Sequence, residues 1–199
     1  MTLSLTDKIV GFIVRPVETF REARDETVTD AGIYYLVLLV INAVLTAIVA
    51  YLGIGVARSS PPGIGTFIAG LIGAFIVGLL LLALVSIFLH VGARVMSGRG
   101  DFADSFKSVV YAQTPSMLLG WIPVIGFIIW IWSIVLLVIG VRELHEMDTM
   151  KAVIAVVIAV VIVFVIAAIL GLILGAAFFA LFGIASSTGV IPLDAVTVP

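Results

Sequence analysis

Few side chains in this sequence have the chemistry to act on a substrate. The stretch Arg142-Glu143-Leu144-His145-Glu146-Met147-Asp148 gathers three acids around one of only two histidines. Such ligands can hold a divalent ion, but no H-E-x-x-H spacing exists, because Thr149 and Met150 follow. The expected structure is a solvated connector in which Asp148 or Thr149 caps the next helix. The loop Ser97-Gly98-Arg99-Gly100-Asp101 contains G-x-G-D. That pattern supports aspartyl proteolysis when a second carboxylate shares a proton with the first. Here it lies in a polar loop, and no second acid occupies any apolar stretch. Asp101 and Asp104 read instead as the cap and first-turn acid of a helix. Without any Cys, thiolate metal sites, Cys nucleophiles and disulfides are excluded. No nucleotide loop or serine elbow is present. We therefore expect no catalytic residue, no metal and no cofactor.

The remaining candidates are neutral polar groups within apolar surroundings. Asn42 and Thr46 are four residues apart, as are Ser86 and His90, with Arg94 next in line. Gln113 and Thr114 immediately precede Pro115. Each pair suits interhelical hydrogen bonding, worth roughly 0.6–2 kcal/mol in a membrane. Structural bonding is the expected role, and the lining of a substrate path is the alternative. His90 lies near the end of its apolar stretch, where it can titrate.

The elements that must position these groups are transmembrane helices. The 199 residues are 63% apolar and 11% charged, with a mean hydropathy of +1.36. That leaves too little polar surface for a water-soluble globule. A net charge of -2 offers nothing to nucleic acid. No Asp, Glu, Lys or Arg lies between Asp30 and Arg58, Arg58 and Arg94, Lys107 and Arg142, or Lys151 and Asp194. Each gap exceeds the roughly 20 residues that cross a bilayer core. Continuous apolarity without a period of two means helices, not an outer-membrane barrel.

These gaps predict an all-α, polytopic bundle of five spans: about 31–54, 65–93, 102–119, 123–141 and 151–183. Thr29 or Asp30 is expected to cap the first, with Tyr34, Tyr35 and Tyr51 as interfacial belts. The third gap would make a rod of about 51 Å as one helix. Gly120, Trp121 and Pro123 divide it into a hairpin, with Lys107 snorkelling at its start and Pro115 bending its first arm. Either Thr114, a neighbouring helix or a water must then satisfy the carbonyl that Pro115 leaves free. Trp130 and Trp132 fall mid-span, so they pack in the bundle or the hairpin is shallow. Residues 58–65 form a short turn, and 185–199 a frayed tail outside the membrane.

Residues 1–30 read as cytoplasmic interfacial helices, not as a signal peptide. Leu5, Ile9, Phe12 and Ile13 share one helical side, with Lys8 and Gly11 elsewhere, and Pro16 opens a second short helix. Five spans place nine cations on one side, with only Arg58 opposite. Four spans would give seven against three, so the positive-inside rule favours five. That places the protein in the cell membrane with its N-terminus in the cytoplasm and its C-terminus outside. Ala69/Gly73, Gly70/Ala74 and Gly171/Gly175 offer small-residue faces for close packing within the chain or between copies.

Several of these residues carry a resemblance. Arg15-Pro16-Val17-Glu18-Thr19-Phe20 resembles the Pro-x-x-x-Phe approach to the first span in Yip1-domain membrane proteins. Gly100-Asp101-Phe102, followed by Tyr111-Ala112-Gln113-Thr114-Pro115-Ser116-Met117-Leu118, is similar to their "glycine, short helix, Y-x-x-x-P-x-x-L" pattern. Pro123, Gly126, Trp132, Gly140, His145 and Lys151-Ala152 continue it, and the compact form looks like the prokaryotic branch. The resemblance implies five spans, a cytoplasmic N-terminus and a non-enzymatic scaffold or adaptor that organises lipids or protein partners. It also implies that Tyr111, Pro115, Pro123 and Gly126 shape the hairpin. Eukaryotic relatives associate with Rab-type GTPases, an association not carried over to so short an N-terminal region. A small passive permease lined by the neutral polar groups is the alternative function.

Overall fold

Without water to bond to, an apolar stretch must satisfy its peptide groups internally, and a helix does this within one segment. The computed structural model describes residues 3–52, 63–122 and 124–187, and no strand occurs among them. The helices are α1 (Leu5–Val14), α2 (Pro16–Glu22), α3 (Val28–Tyr51), α4 (Ile64–Val95), α5 (Phe102–Ala112), α6 (Thr114–Leu119), α7 (Ile125–Leu144) and α8 (Thr149–Ser187), with a 3₁₀ turn at Ala23–Asp25. Among the described residues, α3, α4, α7 and α8 are each long and apolar enough to cross a membrane. Residues up to Val160 form one compact unit, and α8 from Val161 onward forms a second.

The helix starts follow capping chemistry. Ser4 caps α1 by accepting from Asp7 N, and Pro16 occupies the first turn of α2. α3 begins three residues before the expected start. Thr27, not Thr29 or Asp30, is its cap: Asp30 N donates to Thr27 Oγ1 at 3.1 Å while Thr27 N donates to Asp30 Oδ2 at 3.3 Å. Asp101 and Asp104 are the expected cap and first-turn acid of α5, and the two bond reciprocally. Asp148 Oδ2 accepts from Met150 N at the head of α8.

The expected 102–119 helix is two helices, neither long enough to span alone. The break falls at Gln113, ahead of Pro115, which has no N–H to offer the Tyr111 carbonyl. Thr114 Oγ1 donates to that carbonyl instead, at 2.7 Å. The chain then reverses between Gly120 and Val124, and α5 and α6 both pack back along α7. A Cβ on Gly126 would lie 2.4 Å from the Gly120 carbonyl, so the close crossing at the turn requires glycine. Val124 holds a left-handed φ of 69°. Pro123 and Arg58 lie outside the described residues, as do 188–199 of the tail.

One placement differs from expectation, and two alternatives that the sequence left open are narrowed. Tyr34 and Tyr35 are buried among helices, so they are not interfacial side chains. Trp130 and Trp132 are exposed on α7 and pack in no core. Ala69, Gly70 and Ala74 face outward, and an added Cβ at Gly70 or Gly73 would meet nothing. Within the chain, close helix approach occurs at Gly78 against Leu39, Gly92 against the Ala155 carbonyl, and Gly140 against Phe20. Gly171 is exposed, and the surroundings of Gly175 lie outside the described side chains.

Candidate functional site

The side chains with the most constrained chemistry meet where α1, α2, α3 and α5 converge. Helix α1 turns only part of its apolar side inward, Phe12 and Ile9, together with Lys8 and Gly11. Lys8, Gly11 and Phe12 are buried, while Leu5 and Ile13 are exposed. Gly11 is required there because a Cβ would strike Thr19 Oγ1 at 2.6 Å. Lys8 is drawn in by charge: its Nζ lies 2.7 Å from Glu26 Oε2, both side chains being almost wholly buried. The ammonium also sits over two rings, 5.5 Å from the centroid of Tyr34 and 5.7 Å from that of Tyr111. Tyr111 donates its hydroxyl hydrogen to the same Glu26 oxygen, leaving Glu26 Oε1 buried without a partner.

Tyr111 is the hub of this cluster. Phe12 stacks on it at 4.6 Å, and Phe20 and Tyr34 meet it edge-on at 6.4 and 5.5 Å. Thr114 already donates to the Tyr111 carbonyl, so the 2.9 Å contact between Tyr34 and Thr114 must use the Tyr34 hydrogen. Phe20 rests on Gly140 of α7, where a Cβ would come within 2.8 Å of the ring. Phe20, Tyr111 and Gly140 are therefore one packed assembly joining the N-terminal segment to the hairpin, while Pro16 opens α2 and Pro115 is buried in α6.

A second cluster lies across α5. Ser105 Oγ stands 3.1 Å from His90 Nδ1 and 3.0 Å from His145 Nε2. One hydroxyl hydrogen cannot serve both imidazoles, so one histidine donates to Ser105 and the other accepts from it. His145 is fully buried, which corrects the solvated connector expected for residues 142–148. The cause is backbone packing: Arg99 N donates to the His145 carbonyl at 3.0 Å, and Gly98 and Gly100 leave no Cβ to hold the ring away. Burial pushes the His145 imidazole down to about 4, partly offset by Asp104, so it is neutral near pH 7. Its Nδ1 has no partner. Among the described residues, no three such side chains converge as a metal site requires.

The rim is ionic. Arg21 pairs with Glu143 at 2.7 Å, Arg24 with Glu146 at 2.6 Å, and Arg24 also donates to the Glu143 carbonyl. Lys107 is buried rather than snorkelling, and its Nζ donates to the Arg24 carbonyl at 2.6 Å. The N-terminal segment, the 96–101 loop and the 142–148 loop thus lie together at one end.

The intramembrane candidates are dispersed. Asn42 Nδ2 donates to the Met117 carbonyl at 2.8 Å, joining α3 to α6, while Thr46 is exposed. Ser86 donates back to Leu82 O, so it does not pair with His90. Gln113 caps α5 with its backbone, and only Thr114 of that pair enters the Tyr111 cluster. Sequence reading missed Lys8, Glu26 and Ser105. Glu26 immediately follows the 3₁₀ turn, and no periodicity marks it as facing inward.

A helical bundle with several apolar spans and an ionic end defines a multi-pass membrane protein. The Yip1-domain family model matches residues 10–172, and the chain belongs to that family. No curated protein and no solved structure matches it significantly.

Proposed function

We propose that this protein is a non-enzymatic scaffold or adaptor of the cell membrane, with its N-terminus in the cytoplasm and its C-terminus outside. It crosses five times, α5 and α6 together forming one crossing of about 27 Å. α1 and α2 lie at the inner interface. The observation carrying this reading is the stapling of the N-terminal segment to the hairpin through Lys8, Glu26, Phe20, Tyr111 and Gly140. This presents a rigid inner face that combines exposed Glu18, Glu22 and Arg99 with in-plane helices. Gathering the N-terminal cations with Arg99 and Arg142 at that end agrees with the positive-inside rule.

A passive permease is less well supported, because Asn42, Ser86 and Thr114 spend their polar groups on neighbouring backbone or side chains. Proteoliposomes containing the chain should retain small ions and neutral solutes as tightly as protein-free vesicles. Photo-crosslinkers at Glu22 and Arg99 in native membranes should yield a discrete adduct, either with another protein or with a second copy through the outward small-residue face of α4. Solute flux that falls in Asn42→Leu, with no adduct from either position, would overturn the scaffold reading.

A further inference from the structure

Beside the buried ion pair, a groove of about 330 Å³ opens between α1 and α3. Lys8, Asp30 and Tyr34 line its polar end. Its walls are apolar, from Leu5 on α1 and from Ile33 and Val37 on α3. Ile33 and Val37 are the turns of α3 that follow Asp30, so the groove runs from charged groups onto the apolar surface of a spanning helix. Only an amphiphile matches both ends.

Charge selects among amphiphiles. Lys8 contributes one positive charge, and Glu26 and Asp30 contribute two negative ones, so the site is negative by one. Glu26 takes one Lys8 N–H, and an ammonium has three. Nearly buried but lining the groove, Lys8 has N–H groups left for an oxyanion that enters there. Thr27 donates only to Oδ2 of Asp30, so among the described residues Oδ1 takes no hydrogen bond. The occupant needs a phosphate for Lys8 and a hydrogen-bonding cation for Asp30, both attached to acyl chains.

We infer that the α1–α3 groove binds one phospholipid with a primary ammonium headgroup, its phosphate on Lys8, its ammonium on Asp30 and a chain along Ile33 and Val37. A choline headgroup carries the charge but no N–H donor. A glycerol headgroup brings no cation and adds negative charge to a negative site. The inference rests on the proposed placement of α1 and the start of α3 at the inner interface. Lipid retention is measured separately from flux and crosslinking, so the two readings fail independently.

The test uses the full chain in detergent with equal amounts of dioleoyl phosphatidylethanolamine, phosphatidylcholine and phosphatidylglycerol. Native mass spectrometry counts the lipids retained. One ethanolamine lipid should be held in preference to choline by roughly tenfold, as expected for a charge-assisted hydrogen bond. Asp30→Asn, whose side-chain oxygen can still accept from Thr27 at the head of α3, should abolish that preference. Ile33→Trp should block the groove and lose the lipid while Asp30 and Lys8 remain. Lipid-free thermal unfolding identifies any variant that fails to fold, and Ile33→Ala, which keeps the polar end, then serves as the folded control that retains the preference. Equal retention of all three headgroups, preference for the glycerol lipid, or unchanged selectivity in folded Asp30→Asn would overturn the inference.

Discussion

The buried Lys8–Glu26 pair concentrates a large electrostatic demand in two residues. Breaking such a pair strands a charge, whereas neutralising both partners removes the desolvation cost as well. Lys8→Met should lower stability by about 3–5 kcal/mol. Adding Glu26→Gln should recover at least half, because the amide still accepts from Tyr111. Unfolding of single and double variants in detergent tests this; a double variant no more stable than Lys8→Met would show the two residues to be uncoupled. His145 makes a different prediction. Its imidazole is neutral when folded and titrates near its ordinary 6.5 when unfolded, so below that value the unfolded chain takes up the proton first. Stability is full above pH 6.5 and falls as pH drops to about 4, by up to about 3 kcal/mol. His145→Gln should remove that slope, and an equally steep decline in the variant would place the titration elsewhere. The identity of these residues was plain in the sequence, but their surroundings were not. A lysine on a short amphipathic helix normally reaches water, and only a carboxylate from beyond the 3₁₀ turn draws this one inward.

At the level of elements, the helix boundaries were largely legible because capping and breaking are local. Pro16, the Asp101/Asp104 box and the turn near Gly120 follow from adjacent residues alone. Thr114 was a named candidate to satisfy the carbonyl freed by Pro115, and it does so. The helix faces were less legible. α4 and α7 are apolar all round, so no stripe distinguishes the packed side from the lipid side. Their packing is marked by glycines at close crossings. Gly140→Ala should cost about 1–3 kcal/mol by pressing a Cβ into Phe20. Combining it with Phe20→Leu should show favourable coupling of about 0.5 kcal/mol or more, read from a double-mutant unfolding cycle. Additive effects would mean that the Phe20–Gly140 contact does not set the distance between α2 and α7.

For the whole molecule, sidedness is the property on which the functional proposal depends. The chain has no Cys, so single substitutions can be labelled without background. Arg99→Cys and Met150→Cys should react from the cytoplasmic side, and Val124→Cys from the opposite side. All three positions are well exposed. Labelling of Val124→Cys and Met150→Cys from the same side would refute the five-crossing arrangement.

Composition and charge spacing alone determined that this is a helical, multi-pass membrane protein, because uninterrupted apolar stretches must become helices wherever water is absent. The ordered motifs from Pro16 to Gly140 also sufficed for the family. Only the tertiary structure decided that α1 turns Lys8 inward, that Ser105 bridges His90 and His145, and that Phe20 lies on Gly140. Each of these contacts joins residues from different segments of the chain, and local propensity carries no information about which distant surfaces meet.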